Sequence, residues 1–175
     1  MAKLYFLGIK HSGKTTQAKL AASILNKEAV DADDLVLSYL GVDSIRDFYR
    51  ENGKDAFMKA EREAVGKYIA SHDDFIMSLG GGASDNRALM EELKKSGSLI
   101  YLRREESEML PVILKHGIPA FLAPENLESS FHDVYARRDR AYRNDADLTI
   151  DLGHYRDKEE TARFLVSELK ENGYV

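Results

Sequence analysis

No cysteine occurs in the 175 residues. Disulfides and thiolate metal sites are therefore excluded. No apolar run approaches the roughly 20 residues that a bilayer-spanning helix requires. The N-terminus enters a strand-like run at Leu4 without the apolar lead of a secretory signal. The expectation is a soluble cytoplasmic protein with no membrane partner. A basic excess is also missing: Lys and Arg total 25 against 30 Asp and Glu, for a formal net charge of −5. With no basic tail, this argues against a general nucleic-acid binder. There is no internal repeat, low-complexity tract or linker, so residues 1–175 are read as one domain, large enough to bury a core. His72, His116, His132 and His154 show no metal-ligand spacing.

What is present begins at Gly8. The segment Gly8-Ile9-Lys10-His11-Ser12-Gly13-Lys14-Thr15 has the pattern G-x-x-x-x-G-K-T. An apolar run, Leu4–Leu7, precedes it, and a helically spaced run follows from Thr16. Strand, glycine loop and helix in that order form a phosphate cradle. Backbone N–H groups converge on an anion and the helix N-terminus adds positive potential. The loop predicts ATP as cofactor, held by Gly8, Ser12, Gly13, Lys14, Thr15 and Thr16. Lys14 is read as catalytic at the β- and γ-phosphates, and the Thr15 hydroxyl as a Mg²⁺ ligand. His11, at a variable loop position, is read as filler.

The rest of the chain alternates strand-like and helical patterns. Strands are expected near Leu4–Leu7, Glu28–Val30, Phe75–Ser78, Leu99–Leu102 and Leu148–Ile150. Helices are expected near Lys14–Asn26, Asp33–Leu40, Ser44–Asn52, Lys54–Ser71, Asp85–Lys95, Glu106–Lys115, Glu125–Asn144 and Lys158–Asn172. Such alternation implies a parallel sheet covered by helices on both faces, with ligands at the carboxyl ends of the strands. Gly117–Pro124, with two prolines and a glycine, breaks the helical pattern. It reads as a loop, either a lid over about 112–124 or an ordinary connection between helices.

Two further segments fall at strand ends. Asp31-Ala32-Asp33 follows the second strand. One acid can hold Mg²⁺, directly or through water, and the other can take a proton from a substrate hydroxyl. The competing reading is that Asp33 caps the next helix. Gly80-Gly81-Gly82 follows the third strand and reads as a ligand-facing loop with exposed backbone N–H groups.

Taken together, these pieces resemble the shikimate kinase family over nearly the whole chain. The family's D-x-D corresponds to Asp31-Ala32-Asp33. Its G-E-x-x-F-R-x-x-E corresponds to the segment from Gly53-Lys54 through Phe57-Met58 to Glu61. Its G-G-G corresponds to Gly80–Gly82, and its late R-x-x-x-Y and A-D to Arg138, Tyr142 and Ala146-Asp147. The resemblance implies a three-layer α/β/α P-loop fold with five parallel strands in the order 2-3-1-4-5. It implies transfer of a phosphoryl group from Mg-ATP to the 3-hydroxyl of shikimate, a step of aromatic amino acid biosynthesis. It implies Mg²⁺ support from Asp31, with Asp33 as the proton acceptor, and acceptor contacts from Asp33, Gly80, Gly81, Gly82 and Arg138, the last to the shikimate carboxylate. A small-molecule substrate and a monomer are expected.

The chain departs from this pattern at three arginines. One, an arginine near the adenine, is not evident around Leu110–Val112, and Arg103 and Arg104, a turn or two earlier, are candidate substitutes. Met58 stands where the family has the arginine of F-R, and Ile118 where the lid has its arginine. Methionine supplies none of an arginine's bidentate contact to a carboxylate. An arginine on the transferring phosphoryl is worth ~10³-fold or more in rate. Three readings follow. Lys59, Arg62 or another basic side chain substitutes at the acceptor, with Arg103 and Arg104 as candidates near the lid. The acceptor is another small metabolite, such as a sugar acid or a nucleotide. Or the chain is a nucleotide-binding protein with weakened catalysis. Asp31, Asp33, Lys14 and Thr15 argue against the third, because a mere binder needs no proton acceptor.

Overall fold

Five strands form one parallel sheet: β1 (Lys3–Leu7), β2 (Glu28–Asp31), β3 (Phe75–Ser78), β4 (Ser98–Arg103) and β5 (Leu148–Asp151). Their order is β2-β3-β1-β4-β5, as expected from the sequence. The structure is a computed structural model and describes residues 1–119 and 122–175. The helices are α1 (Lys14–Leu25), α2 (Ala32–Leu40), α3 (Ile45–Ser71), α4 (Arg87–Ser96), α5 (Glu106–Leu114), α6 (Leu127–Asp145) and α7 (Lys158–Glu171).

Successive side chains on a strand point to opposite faces, and the buried residues divide on that alternation. Leu4, Phe6, Ile76, Ile100 and Leu102 face α1 and α7, where Ala18, Ala21, Leu165 and Leu169 complete one apolar layer. Tyr5, Leu7, Phe75, Met77, Leu99 and Tyr101 face the other way, against Val65, Leu89, Leu93, Met109, Phe131 and Tyr142. The three central strands, β1, β3 and β4, thus read as largely apolar runs because both faces are covered.

The structure adjusts the expected helices in three places. The two helices expected on either side of Gly53 run together as α3, interrupted at Gly53, whose φ of 86° and ψ of 175° are not helical. The helix expected from Asp85 begins instead with a 3₁₀ turn at Ala83–Asp85. Asn86 then caps α4, its side chain accepting from Leu89 N. The helix expected from Glu125 likewise starts with a 3₁₀ turn, Pro124–Asn126, ahead of α6. The lid span expected over 112–124 begins inside α5. Ala120 and Phe121 within that span lie outside the described residues.

Pairing fixes what the strand ends present. Asp31 on β2 lies beside Ser78 on β3, and Phe6 on β1 is level with Ser78 on its other side. The loops that leave β1, β2 and β3 therefore emerge side by side, in the place where ligands of open α/β sheets bind.

Candidate active site

The loop after β1 folds back on itself. Ser12 N donates to Ile9 O at 3.1 Å, and Gly13, at φ 90°, caps α1 in the left-handed region that glycine adopts without strain. His11 also has a positive φ of 66°, which disfavours a side-chain-bearing residue. Tyr155 Oη donates to His11 O at 2.8 Å, and the His11 ring stacks on His116 at 4.4 Å. Arg104, buried behind the loop, donates from Nε to Ser12 O at 3.1 Å and from Nη1 to His154 O at 2.9 Å, with its guanidinium over the Tyr155 ring. The loop is thus braced from outside by a cation that the motif does not contain.

Lys14 is 7% exposed. Burial lowers its ammonium to about 8, and the nearby Asp33 and Asp31 carboxylates oppose that shift. Asp31 is the connector. Its Oδ1 accepts from Asp33 N at 2.9 Å, and its Oδ2 accepts from Thr15 Oγ1 at 2.9 Å and from Ser78 Oγ at 2.8 Å. The cap of α2 is therefore Asp31, and the reading of Asp33 as the cap is corrected. Asp33 is left with its carboxyl at the cleft, its pKa raised by burial first and by Asp31 second.

The opposite end of the cleft is built from several elements. Gly80–Gly82 leaves β3 and passes against the phosphate loop. A Cβ on Gly81 would stand 2.8 Å from Lys10 N, so only glycine fits there. A Cβ on Gly80 would meet Asp33 Oδ1 at 3.3 Å and Glu61 Oε1 at 3.7 Å, and one on Gly82 would meet Arg138 Nη2 at 3.6 Å. Tyr142 Oη donates to Gly81 O at 2.8 Å and pins the loop to α6. Glu61 of α3 is buried and accepts from Asn86 Nδ2 at 2.9 Å. Burial raises its carboxyl to about 7. Arg138 of α6 is also buried, which lowers its pKa.

These groups share one cleft of about 760 Å³, which Gly13, Lys14, Thr15, Thr16, Asp31, Asp33, Gly80, Gly81, Gly82 and Arg138 all line. Gly8 and Ser12 sit beneath it: a Cβ on Gly8 would meet Ser12 Oγ at 2.8 Å, and Ser12 is fully buried.

The candidate replacements for the missing arginines fall elsewhere. Lys59 and Arg62 line a separate groove of about 690 Å³ between α3 and α4, and Arg62 Nε donates to Glu92 Oε2 at 3.0 Å. Arg103 is engaged by Glu105, Asp139 and Asp151, and Arg104 by the loop backbone. On α6, Arg143 pairs with Asp139, and Arg137 pairs with Asp85 at 2.7 Å.

Sequence reading did not assign Glu61, Lys54, Lys10 or Asp85 to the cleft, yet all four line it. The available signal was helical phase. Lys54, Phe57, Met58 and Glu61 are spaced i, i+3, i+4, i+7, which places them on one face of a helix.

Comparison with known proteins places the arrangement. The sequence profile described as shikimate kinase matches residues 10–170. Shikimate kinase of Stenotrophomonas maltophilia (strain R551-3) is 32% identical over 167 residues, 93% of this chain and 89% of that protein. Shikimate kinase of Caldanaerobacter subterraneus subsp. tengcongensis is 30% identical over 152 residues, 87% of each. Among solved structures, shikimate kinase from Acinetobacter baumannii in complex with shikimate superposes with a TM-score of 0.85. It is 23% identical and covers 100% of this chain and 96% of that one.

Proposed function

The chain belongs to the shikimate kinase family, and from that premise we infer that it transfers the terminal phosphoryl group of ATP to a ring hydroxyl of shikimate, with the cleft groups in the following roles. The observation that carries these roles is the contact of Thr15 and Asp31 at 2.9 Å, with Asp33 N held by the same Asp31 carboxylate and Lys14 lining the same cleft.

Binding starts with the loop. The N–H groups around Gly13 and the α1 N-terminus face the phosphates, and Lys14 adds a full positive charge in a site with little water. An incoming polyphosphate raises the pKa of the ammonium again, against the lowering by burial. Thr15 Oγ1 and an Asp31 oxygen are hard donors of the kind Mg²⁺ takes. They would hold Mg²⁺ there, and the ion would neutralise charge on the phosphates.

The acceptor enters between Asp33 and the Gly80–Gly82 loop. Its hydroxyl oxygen forms the new bond to phosphorus as the bond to the β-phosphate oxygen breaks, and the hydroxyl proton passes to Asp33. A carboxylate whose pKa is raised by burial is a better base for that task than an exposed one. Gly80 lets the acceptor approach Asp33, since any side chain there would stand 3.3 Å from Oδ1. Arg138, beside Gly82, supplies positive charge for the acceptor carboxylate.

ADP release with Mg-ATP and shikimate tests this reading. Turnover with shikimate supports it. Turnover only with another hydroxylated metabolite, or none with any acceptor, would replace it.

A further inference from the structure

Three carboxylates, Asp33, Glu61 and Asp85, line the acceptor half of the cleft, and an anionic acceptor must enter against them. Arg138 answers from α6. On the facing wall, Met58 brings no charge. Lys54 lies one turn earlier on the same face of α3, immediately after the break at Gly53, and also lines the cleft. Resting on the shikimate reading above, we propose that Lys54 is the second cation of the acceptor site and meets the substrate carboxylate together with Arg138.

The contacts of Lys54 suit that role. Its ammonium is 3.8 Å from Asp85 Oδ2, a loose pair on a side chain that is 53% exposed. Asp85 holds a tighter partner in Arg137 Nη1 at 2.7 Å. Lys54 can therefore turn to a ligand without leaving Asp85 unpaired. Asp85 also attracts the Arg138 guanidinium. Lys54 from α3 and Arg138 from α6 line the same cleft with Asp85, and a carboxylate entering there meets both. Lysine suits a site that lacks a fixed fork, because its ammonium is a point charge on a long flexible stem. Lys59 and Arg62 line the neighbouring groove, which shares Met58 with the cleft, and do not line the cleft itself.

The test is steady-state kinetics of the full chain with Mg-ATP and shikimate, comparing wild type with Lys54→Gln, Lys54→Arg and Lys59→Gln. Lys54→Gln should raise KM for shikimate about fivefold to tenfold, the size expected of a half-exposed charge contact. KM for ATP should be unchanged, and Lys54→Arg should restore most of the loss. With the methyl ester of shikimate, which carries no charge, wild type and Lys54→Gln should have the same KM. An unchanged KM for shikimate in Lys54→Gln overturns the proposal and leaves the shikimate reading standing. An equal rise in Lys59→Gln overturns it too, and so does a rise that persists with the ester. Wild type that fails to phosphorylate shikimate overturns the reading and the proposal together.

Discussion

The two halves of the cleft are built on different principles. The phosphate half comes almost entirely from one continuous segment, Gly8 to Thr16, with Asp31 added across a strand pair. Its binding groups are largely backbone N–H groups, whose positions follow from the loop conformation. The acceptor half is assembled from α3, the β3 loop and α6, and its binding groups are side chains. A backbone cradle survives most substitutions at its variable positions, as His11 illustrates. A side-chain site changes with a single residue, as Met58 illustrates. Within one cleft the reaction type is therefore robust and the acceptor recognition is open to change.

The comparison can be broken most severely at Lys14. Lys14→Ala should lower kcat more than about 10³-fold, because its charge acts on the transferring phosphates. The fold should not weaken, since a buried ammonium is costly to keep. ADP release and thermal unfolding measured together check both halves of that statement. Asp33→Asn should come next, with kcat down ~10²- to 10³-fold, KM for ATP unchanged and a near-native melting temperature. The α2 cap belongs to Asp31 and stays in place. A large fall in melting temperature with activity preserved per folded molecule would return Asp33 to a structural role.

On the acceptor side, Arg138→Ala should raise KM for shikimate about 30- to 100-fold while KM for ATP moves less than about twofold. Equal changes in both constants would dissolve the division between the halves.

Glu61 gives a pH test. Its carboxyl is raised from an ordinary value near 4.5 to about 7 by burial. Between those values the unfolded chain has released the proton and the folded chain still holds it. Stability therefore falls as pH rises from about 4.5 to 7 and is level above. Glu61→Gln keeps the oxygen that accepts from Asn86 and removes the ionisation. It should be more stable than wild type at pH 8, on the order of 2–3 kcal/mol, with no gain at pH 4.5. Denaturant unfolding at the two pH values reads the difference.

The smallest effect expected is a gain. Met58→Arg should lower KM for shikimate roughly threefold to tenfold. The new guanidinium stands one turn before Glu61 and should also flatten the pH dependence just described.

Most of the architecture was legible before any coordinates, for reasons visible in particular residues. Leu4–Leu7 and Phe75–Ser78 are apolar runs that only a doubly covered sheet buries, and each glycine loop follows such a run directly. The phosphate half was legible because its chemistry lies in consecutive residues, where spacing along the chain is spacing in the site. Asp31, Asp33, the three glycines and Arg138 were legible as candidates through their order along the chain. The cleft gathers them all.

Other features depend on contacts between segments far apart in sequence. Asp31 caps α2 and ties Thr15 to Ser78 because β2 and β3 pair in that register. Arg104 became a brace of the phosphate loop from 92 residues away. Lys54 reached the cleft while Lys59 and Arg62 did not, because the break at Gly53 and the packing of α3 set which helical phase faces the site. Local spacing determined which groups this protein has for binding phosphate. Only tertiary packing, which turns one face of a helix inward and the others out, decided which charges line the cleft.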